Sequence, residues 1–284
     1  MPLQICDFCG DRTIGSLRPD NFAAMSVPDS YALHQTTSKI SLDIDTPRRA
    51  LAIGAHPDDV EFGCGGTLAK WAASGCEIFH LVLTDGSKGT WDADVDQAEL
   101  VVTRQREQRA AARELGGAKT DTDVVFLGWI DGELDSSLRQ RWEVCFWIRR
   151  FQPDVVLGHD PWRRYRIHPD HRHAGFLTTD AIVAARDPKF FPEQNVAPHR
   201  PSNLLLWEAD EADHVERIDG FIDAKVRSLL AHESQYATTM RISGSVTATD
   251  EIAAFREAVE TRAREAGSLA GVESGEAFKV IARL

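Results

Sequence analysis

Apolar residues along the chain form two alternating patterns, short continuous runs and longer segments with helical spacing. Four short runs rich in Val, Ile and Leu predict buried strands at residues 48–55, 76–84, 123–128 and 154–160. The segments between and after these runs predict helices at residues 66–74, up to Leu115, at 136–151 and from near His171. Strands and helices that alternate in this way favour a parallel sheet covered on both faces.

The alternation continues after residue 200. It predicts a strand at 203–209, helices at 218–234 and 250–267, and a closing strand at 277–284. We therefore expect an α/β fold, a Rossmann-like three-layer α/β/α sandwich with a mostly parallel sheet. In such sheets ligands bind beyond the carboxyl ends of the strands.

The first 46 residues differ from the rest, with few periodic apolar positions and many Ser, Thr, Asp and Pro residues. The predicted organisation is an N-terminal extension at residues 1–46 and one domain at residues 47–284. Cys6 and Cys9 form a C-x-x-C pair in the extension, but no second pair follows to complete a four-ligand zinc site. We interpret the pair as part of the extension and leave its role open.

Composition and charge narrow the classes of function. The formal net charge is -12, with acidic residues spread along the whole chain, which argues against a nucleic-acid partner. Five scattered cysteines, an odd number, favour reduced thiols. The N-terminal residues lack the pattern of a signal peptide, and no stretch resembles a membrane span. We expect a soluble, cytoplasmic protein without a membrane partner, and leave homo-oligomer formation open.

The segment AHPDDVEFGCGG, residues 55–66, follows the first predicted strand, where many parallel-sheet proteins bind a dinucleotide. The fingerprint G-x-G-x-x-G is absent, and Asp58, Asp59 and Glu61 would repel a pyrophosphate. Carboxylates attract cations instead. The segment therefore argues against a nicotinamide-dependent oxidoreductase and favours a metal site.

Two clusters carry the candidate metal ligands. His56 and Asp59 lie three residues apart at a strand-to-helix turn, and His168 and His171 have the same spacing in RIHPDHRHAG. Either cluster alone is typical of a capped helix start, but two clusters after parallel strands indicate a shared site. Two imidazoles and one carboxylate leave zinc a position for water, so we predict His56, Asp59 and His171 as ligands.

These motifs resemble the LmbE-like, or PIG-L, zinc-dependent de-N-acetylases. The two hallmarks of that family, Ala-His-Pro-Asp-Asp and His-x-Asp-His, match residues 55–59 and 168–171. Weaker matches extend from about residue 49 to the end of the chain. They include LTDGSKGT (83–90), an R-x-x-E pair at Arg104 and Glu107, HESQ (232–235) and GVESGEAF (271–278).

The resemblance implies roles for further residues. Asp58 is the expected general base, His168 in its protonated form the oxyanion donor, and Asp170 the residue that orients His168. Arg104 matches an arginine that holds polar substrate groups. Arg166, which stands where some members have a tyrosine, could together with the WRRYR run (162–166) draw an anionic substituent into the site. Asp85, after the second strand, is a candidate for binding sugar hydroxyls. A solvated charge or a turn-forming group is the alternative reading of these last three residues.

The leading hypothesis is a zinc-dependent hydrolase that removes acetyl from a small glycoside or amino-sugar conjugate of the N-acetylglucosamine type. The alternative within the enzyme class is an amidase for a larger acyl group or a thiol-conjugate amide. A noncatalytic zinc-binding or carbohydrate-binding protein is the alternative outside it. Fe²⁺ and other divalent metals compete for such a site, and the sequence leaves the aglycone open.

Overall fold

The structure is a computed structural model, and it describes residues 40–116, 120–243 and 249–284. Within these ranges eight strands form one sheet in the order β1-β7-β8-β6-β5-β2-β3-β4. The strands are β1 (Ser41–Leu42), β2 (Arg49–Gly54), β3 (Glu77–Thr84), β4 (Val124–Trp129), β5 (Val155–His159), β6 (Asn203–Trp207), β7 (His214–Arg217) and β8 (Gly275–Ala282). All neighbouring pairs are parallel except those of β8, which runs antiparallel to β6 and β7. The predicted mostly parallel sheet is confirmed.

Helices cover both faces of the sheet because side chains along each strand alternate between the faces. In β2, Leu51 and Ile53 join one buried apolar cluster, whereas Ala50 and Ala52 join a second. The helices are α1 (Asp59–Ala73), α2 (Gln97–Glu114), α3 (Leu138–Phe151), α4 (Pro169–Arg186), α5 (Ile222–Leu230) and α6 (Thr249–Ser268). None of the described helices is both long and apolar enough to cross a membrane.

Two strands have no counterpart among the predicted elements. β7 escaped prediction because its sequence, HVER, buries a hydrogen-bonded His214–Glu216 pair rather than an apolar run. β1 is only two residues long and lies within the range assigned to the extension. Residues 1–39, including Cys6 and Cys9, lie outside the described residues. The boundary at residue 46 therefore stays a prediction.

Helix α1 begins at Asp59, earlier than the predicted segment 66–74, and passes through a kink at Cys64 (φ -150°, ψ 19°). At the kink, backbone N–H and C=O groups form hydrogen bonds with a buried ion pair, Lys225 and Glu276. The carboxylate of Glu276 on β8 accepts from the N–H groups of Gly66 at 2.9 Å and Thr67 at 2.8 Å. Lys225 donates to the carbonyl of Phe62 at 2.8 Å and to Glu276 at 2.6 Å. A non-local pair thus fixes the helix segment that carries Asp59.

Replacing Glu276 with alanine should lower the free energy of unfolding by about 3–5 kcal/mol, because Lys225 would remain as a buried, unpaired charge. Urea unfolding followed by circular dichroism measures the loss. The exposed Glu273, three residues away, provides the matched control, and Glu273→Ala should change stability by less than about 0.5 kcal/mol. Equal effects of the two substitutions would contradict this reading of the kink.

Candidate active site

The candidate site lies at the carboxyl ends of four adjacent parallel strands, β5, β2, β3 and β4. His56 and Asp59 follow β2, His159 ends β5, and Asp131 follows β4, while the start of α4 brings in His171. These side chains line a cavity of about 1020 Å³. The position agrees with the general rule for ligand sites in open parallel sheets.

Two of the predicted metal ligands, His56 and His171, lie on either oxygen of the third, Asp59. One carboxylate oxygen of Asp59 is 3.4 Å from Nδ1 of His56, and the other is 3.2 Å from Nε2 of His171. Among the described residues, donor atoms form three overlapping groups within 4.8 Å: His56, His168 and His171; Asp59, His159 and His171; and His56, Asp131 and Asp170. The site therefore offers the nitrogen and oxygen donors of a divalent metal centre, and each predicted ligand belongs to at least one group.

The ring of His56 is held by two carboxylates. Its Nε2 lies 3.0 Å from Asp170 and 3.2 Å from Asp131, which leaves Nδ1 facing Asp59. Asp170 in turn accepts from the N–H groups of Gly132 and Leu134. Burial opposes protonation of His56, but hydrogen bonds to Asp131, Asp170 and Asp59 raise its pKa well above the ordinary value. The carboxylates thus fix the ring and increase its basicity, as partners of metal-binding histidines do.

The role expected for Asp170 needs correction. Asp170 was expected from the sequence to orient His168, but its carboxylate contacts His56 instead. No hydrogen bond joins His168 to another described residue, and its ring stacks on that of His171 with centroids 4.5 Å apart. Burial and the nearby His56 and His171 lower the pKa of His168. The structure therefore favours a neutral His168 whose polar atoms are free to meet a ligand.

Asp58 occupies an unusual backbone conformation at the start of α1, with φ 99° and ψ -23°. Its Oδ2 is buried without a hydrogen-bond partner and lies 3.8 Å from Nη2 of Arg104. Burial raises the pKa of Asp58 to about 6, although the charge of Arg104 opposes the rise. A buried carboxylate oxygen that accepts no hydrogen bond from the described residues, next to convergent metal donors, is poised to bind a proton.

His159 contacts the same carboxylate oxygen of Asp59, Oδ2, as His56 does. Its Nδ1 accepts from Nε1 of Trp207 at 3.0 Å and from Nη1 of Arg166 at 3.0 Å, so its proton sits on Nε2. That Nε2 lies 3.2 Å from the carboxylate of Asp59. Burial lowers the pKa of His159 to about 4, which keeps the ring neutral. From its position at the end of the fourth predicted strand, His159 was a candidate for binding sugar hydroxyls, for forming a turn or for supporting the site, and its contact with Asp59 favours the last role.

The three predicted substrate-binding residues make contacts within the protein. Arg104 lines the cavity, but its guanidinium donates to the carbonyls of Gly86 and Pro57. The side chain of Arg166 is 4% exposed and pairs with Glu208 at 3.0 Å. Asp85 accepts from the N–H groups of Ser87 and Asp131 in a turn. Arg166 and Asp85 lie behind the cavity wall, so substrate binding by any of the three stays a prediction.

Asp131 and most of the outer wall of the cavity were not predicted from the sequence, and only Arg163, in the WRRYR run, was a candidate. Asp131 lies three residues after the strand predicted at 123–128, and its position near a strand end was a usable signal. The outer wall includes Trp91, Arg163, Glu208 and Arg262, which come from separate loops and from α6. No short motif connects these four residues.

The family model and the curated relatives point to deacetylases. The family model described as PIG-L, GlcNAc-PI de-N-acetylase, matches residues 51–182. Diacetylchitobiose deacetylase of Thermococcus kodakarensis is 36% identical over 206 residues, which cover 70% of this chain and 76% of that protein. A 1D-myo-inositol 2-acetamido-2-deoxy-alpha-D-glucopyranoside deacetylase of Rhodococcus erythropolis is 31% identical over 242 residues, 66% of this chain and 81% of the relative.

The fold is similar to that of a solved relative. The structure of N,N'-diacetylchitobiose deacetylase from Pyrococcus horikoshii aligns with a TM-score of 0.73 and 29% identity, over 83% of this chain and 84% of that one. Sequence and structure thus point to the same set of relatives.

Proposed function

The chain belongs to the PIG-L (LmbE-like) family of deacetylases, and we propose that it removes the acetyl group from an N-acetylglucosamine-type small molecule by metal-assisted amide hydrolysis. The observation that carries the proposal is the buried carboxylate oxygen of Asp58, which accepts no hydrogen bond from the described residues, beside a cluster of imidazole and carboxylate donors. A protein that only bound a metal or a sugar would gain nothing from leaving this carboxylate unsatisfied, since doing so costs stability.

Zinc is the proposed metal, held by His56, Asp59 and His171. The donor set suits it, because two imidazoles and one carboxylate are typical of catalytic zinc sites, although Fe²⁺ and other divalent ions accept the same donors. His159 supports the site by donating to Asp59, while Asp131 and Asp170 hold His56. When bound, zinc supplies Lewis acidity, which polarises the acetamide carbonyl and makes a water molecule more acidic.

Two side chains move or share protons in the proposed mechanism. Asp58 takes a proton from the attacking water and returns it to the nitrogen of the leaving amine. His168, which has no protein hydrogen-bond partner among the described residues, donates an N–H to the oxygen that becomes negative. A neutral imidazole retains one N–H donor, so this step does not require the protonated form expected from the sequence.

The size of the cavity bears on the substrate. A volume of about 1020 Å³ lies just above the range of about 300–1,000 Å³ typical of small-molecule sites. It therefore favours a sugar conjugate over a single N-acetylglucosamine. The same volume would also accommodate a larger acyl group, so it is compatible with the amidase alternative.

Trp91 provides a test of the conjugate. Its side chain is 83% exposed at the cavity wall, where an indole face would stack against a second ring. Trp91→Ala should raise KM for diacetylchitobiose about fivefold to tenfold, and Trp91→Phe should raise it less. KM for N-acetylglucosamine should not change. Val102→Ala, at an exposed position on α2, is the control and should leave both KM values unaltered.

The proposed activity is tested with zinc-loaded protein and a panel of N-acetylglucosamine conjugates, with acetate and free amine measured together. Equal amounts of the two products establish deacetylation and rank the conjugates. A longer acid in place of acetate, from a panel that includes larger amides, would support the amidase alternative. Absence of any product despite one equivalent of bound zinc would overturn the proposed function.

A further inference from the structure

The N-terminus of α1 is connected to α2 by a fully buried chain of polar groups. The backbone N–H of Asp58 donates to Oε1 of Gln108 at 3.0 Å. The amide nitrogen of Gln108 donates to Oε1 of Glu61 at 2.7 Å. Gln108 and Glu61 are both completely buried, so neither contacts the cavity contents. The chain therefore acts on the protein and not on a substrate.

One peptide unit is held at both of its polar groups. The carbonyl of Pro57 accepts from Nη2 of Arg104 at 2.6 Å, and the N–H of the same peptide, at Asp58, donates to Gln108. Arg104 and Gln108 lie one turn apart on α2, so they present a donor and an acceptor on the same helix face. A peptide that is held in this way cannot rotate without losing both hydrogen bonds.

The held peptide supports a strained residue. Asp58 has φ 99°, a region that residues with a side chain seldom adopt and that persists only where the surroundings impose it. Rotation of the 57–58 peptide would relax φ and turn the carboxylate away from its present direction. The conformation of Asp58 thus depends on the contacts that α2 makes.

Glu61 determines which way the amide of Gln108 points. A carboxylate only accepts hydrogen bonds, so the NH2 group of Gln108 must face Glu61 and its oxygen must face the N–H of Asp58. Glu61 in turn lies between two buried imidazoles, with its carboxylate 3.7 Å from Nδ1 of His80 and 3.4 Å from Nε2 of His232. The buried cluster therefore orients the amide by charge and not by packing alone.

We propose that Gln108 is a positioning residue for the general base, and that Glu61 sets the orientation of its amide. Together with Arg104, Gln108 holds the 57–58 peptide so that the carboxylate of Asp58 faces the reacting water. The inference deepens the proposed deacetylation and rests on it for its kinetic readout. Its structural readout is independent of any substrate.

Gln108→Met keeps the length of the side chain and removes both hydrogen bonds. We expect kcat to fall about 100-fold, because small displacements of a catalytic group have effects of this size. KM and zinc content should stay within about twofold, since the variant leaves the cavity wall and the metal donors in place. Gln105→Met on the same helix is the matched control and should leave kcat unchanged, with circular dichroism showing that both variants fold.

An exchange of the two partners distinguishes positioning from a packing effect. Gln108→Glu places a second carboxylate against Glu61 and should also lower kcat about 100-fold. The double variant Gln108→Glu, Glu61→Gln restores an acceptor for Asp58 and a donor for the new carboxylate. It should recover at least tenfold of the lost kcat. Failure of the exchange to recover activity, or wild-type kcat in Gln108→Met, would overturn the proposal.

Crystal structures of the wild type and Gln108→Met decide the question even if no conjugate is hydrolysed by the wild type. The proposal requires the 57–58 peptide to rotate in the variant and φ of Asp58 to become negative. An unchanged peptide would overturn the positioning role. Lack of wild-type activity with a rotated peptide in the variant would instead count against the proposed function alone.

Discussion

Replacing Asp58 with asparagine should lower kcat about 1,000-fold, within the range of about 10²–10⁴-fold that a general base contributes. Asparagine has nearly the same shape but no basic oxygen at neutral pH. It also suits the backbone, because asparagine is several-fold enriched among residues with positive φ, the region that Asp58 occupies. The substitution therefore removes the base while it preserves the geometry around it.

Acetate release under single-turnover conditions measures this loss without interference from product release. Zinc content, determined by mass spectrometry of the metal, should remain at one equivalent, because Asp58 is not a predicted ligand. Asp121→Asn is the matched control, since the side chain of Asp121 is 75% exposed and does not line the cavity. Retention of more than a tenth of wild-type kcat in Asp58→Asn would rule out Asp58 as the base.

The strands could be predicted from the sequence where their burial requires a continuous run of apolar residues. β2, β3 and β5 are buried on both faces, so their sequences are continuous apolar runs. β7 is also buried, but it carries a hydrogen-bonded His–Glu pair, and local pattern gave no sign of it. The kink in α1 was hidden for a related reason. The residue that stabilises it, Glu276, is 210 positions from Gly66 in the chain.

The residues of the candidate site also fall into two classes, those that local sequence spacing predicts and those that depend on non-local contacts. Ligand candidates separated by three residues could be predicted, because spacing within a single turn brings their side chains together. The contacts of Asp131 with His56 and of His159 with Asp59 depend on which strands are neighbours, and that order is not encoded locally. Asp170 shows that proximity in sequence can also mislead. It is two residues from His168, yet the start of α4 directs it to His56.

The resemblance to the LmbE-like family, drawn from two short motifs, is confirmed by the wider comparisons. Membership of the family alone does not explain how this chain holds the general base, Asp58, in its unusual backbone conformation. The conformation of Asp58 depends on Gln108 and Glu61, which the motifs do not connect. Their proposed role rests on the polar contacts between α1 and α2.

Replacing His171 with alanine should abolish zinc binding and with it all measurable acetate release. Among the described residues, His171 belongs both to the group with His56 and His168 and to the group with Asp59 and His159, so its loss removes a donor from each of these two groups. His168→Ala should behave differently, because His168 is proposed to contact the developing oxyanion. It should retain one equivalent of zinc and lose about 100-fold to 1,000-fold in kcat.

Zinc stoichiometry after dialysis against a weak chelator separates these two expectations. His173→Ala is the control for the loss of an imidazole at the same end of α4. The ring of His173 bonds to Ser136 at 2.8 Å and belongs to none of the three donor groups, so both zinc and kcat should be retained. Full zinc binding by His171→Ala would contradict the proposed ligand set. If His168→Ala lost zinc and His171→Ala retained it, His168 would be the ligand instead. Both rings lie beside His56, and only one of them would complete the metal site.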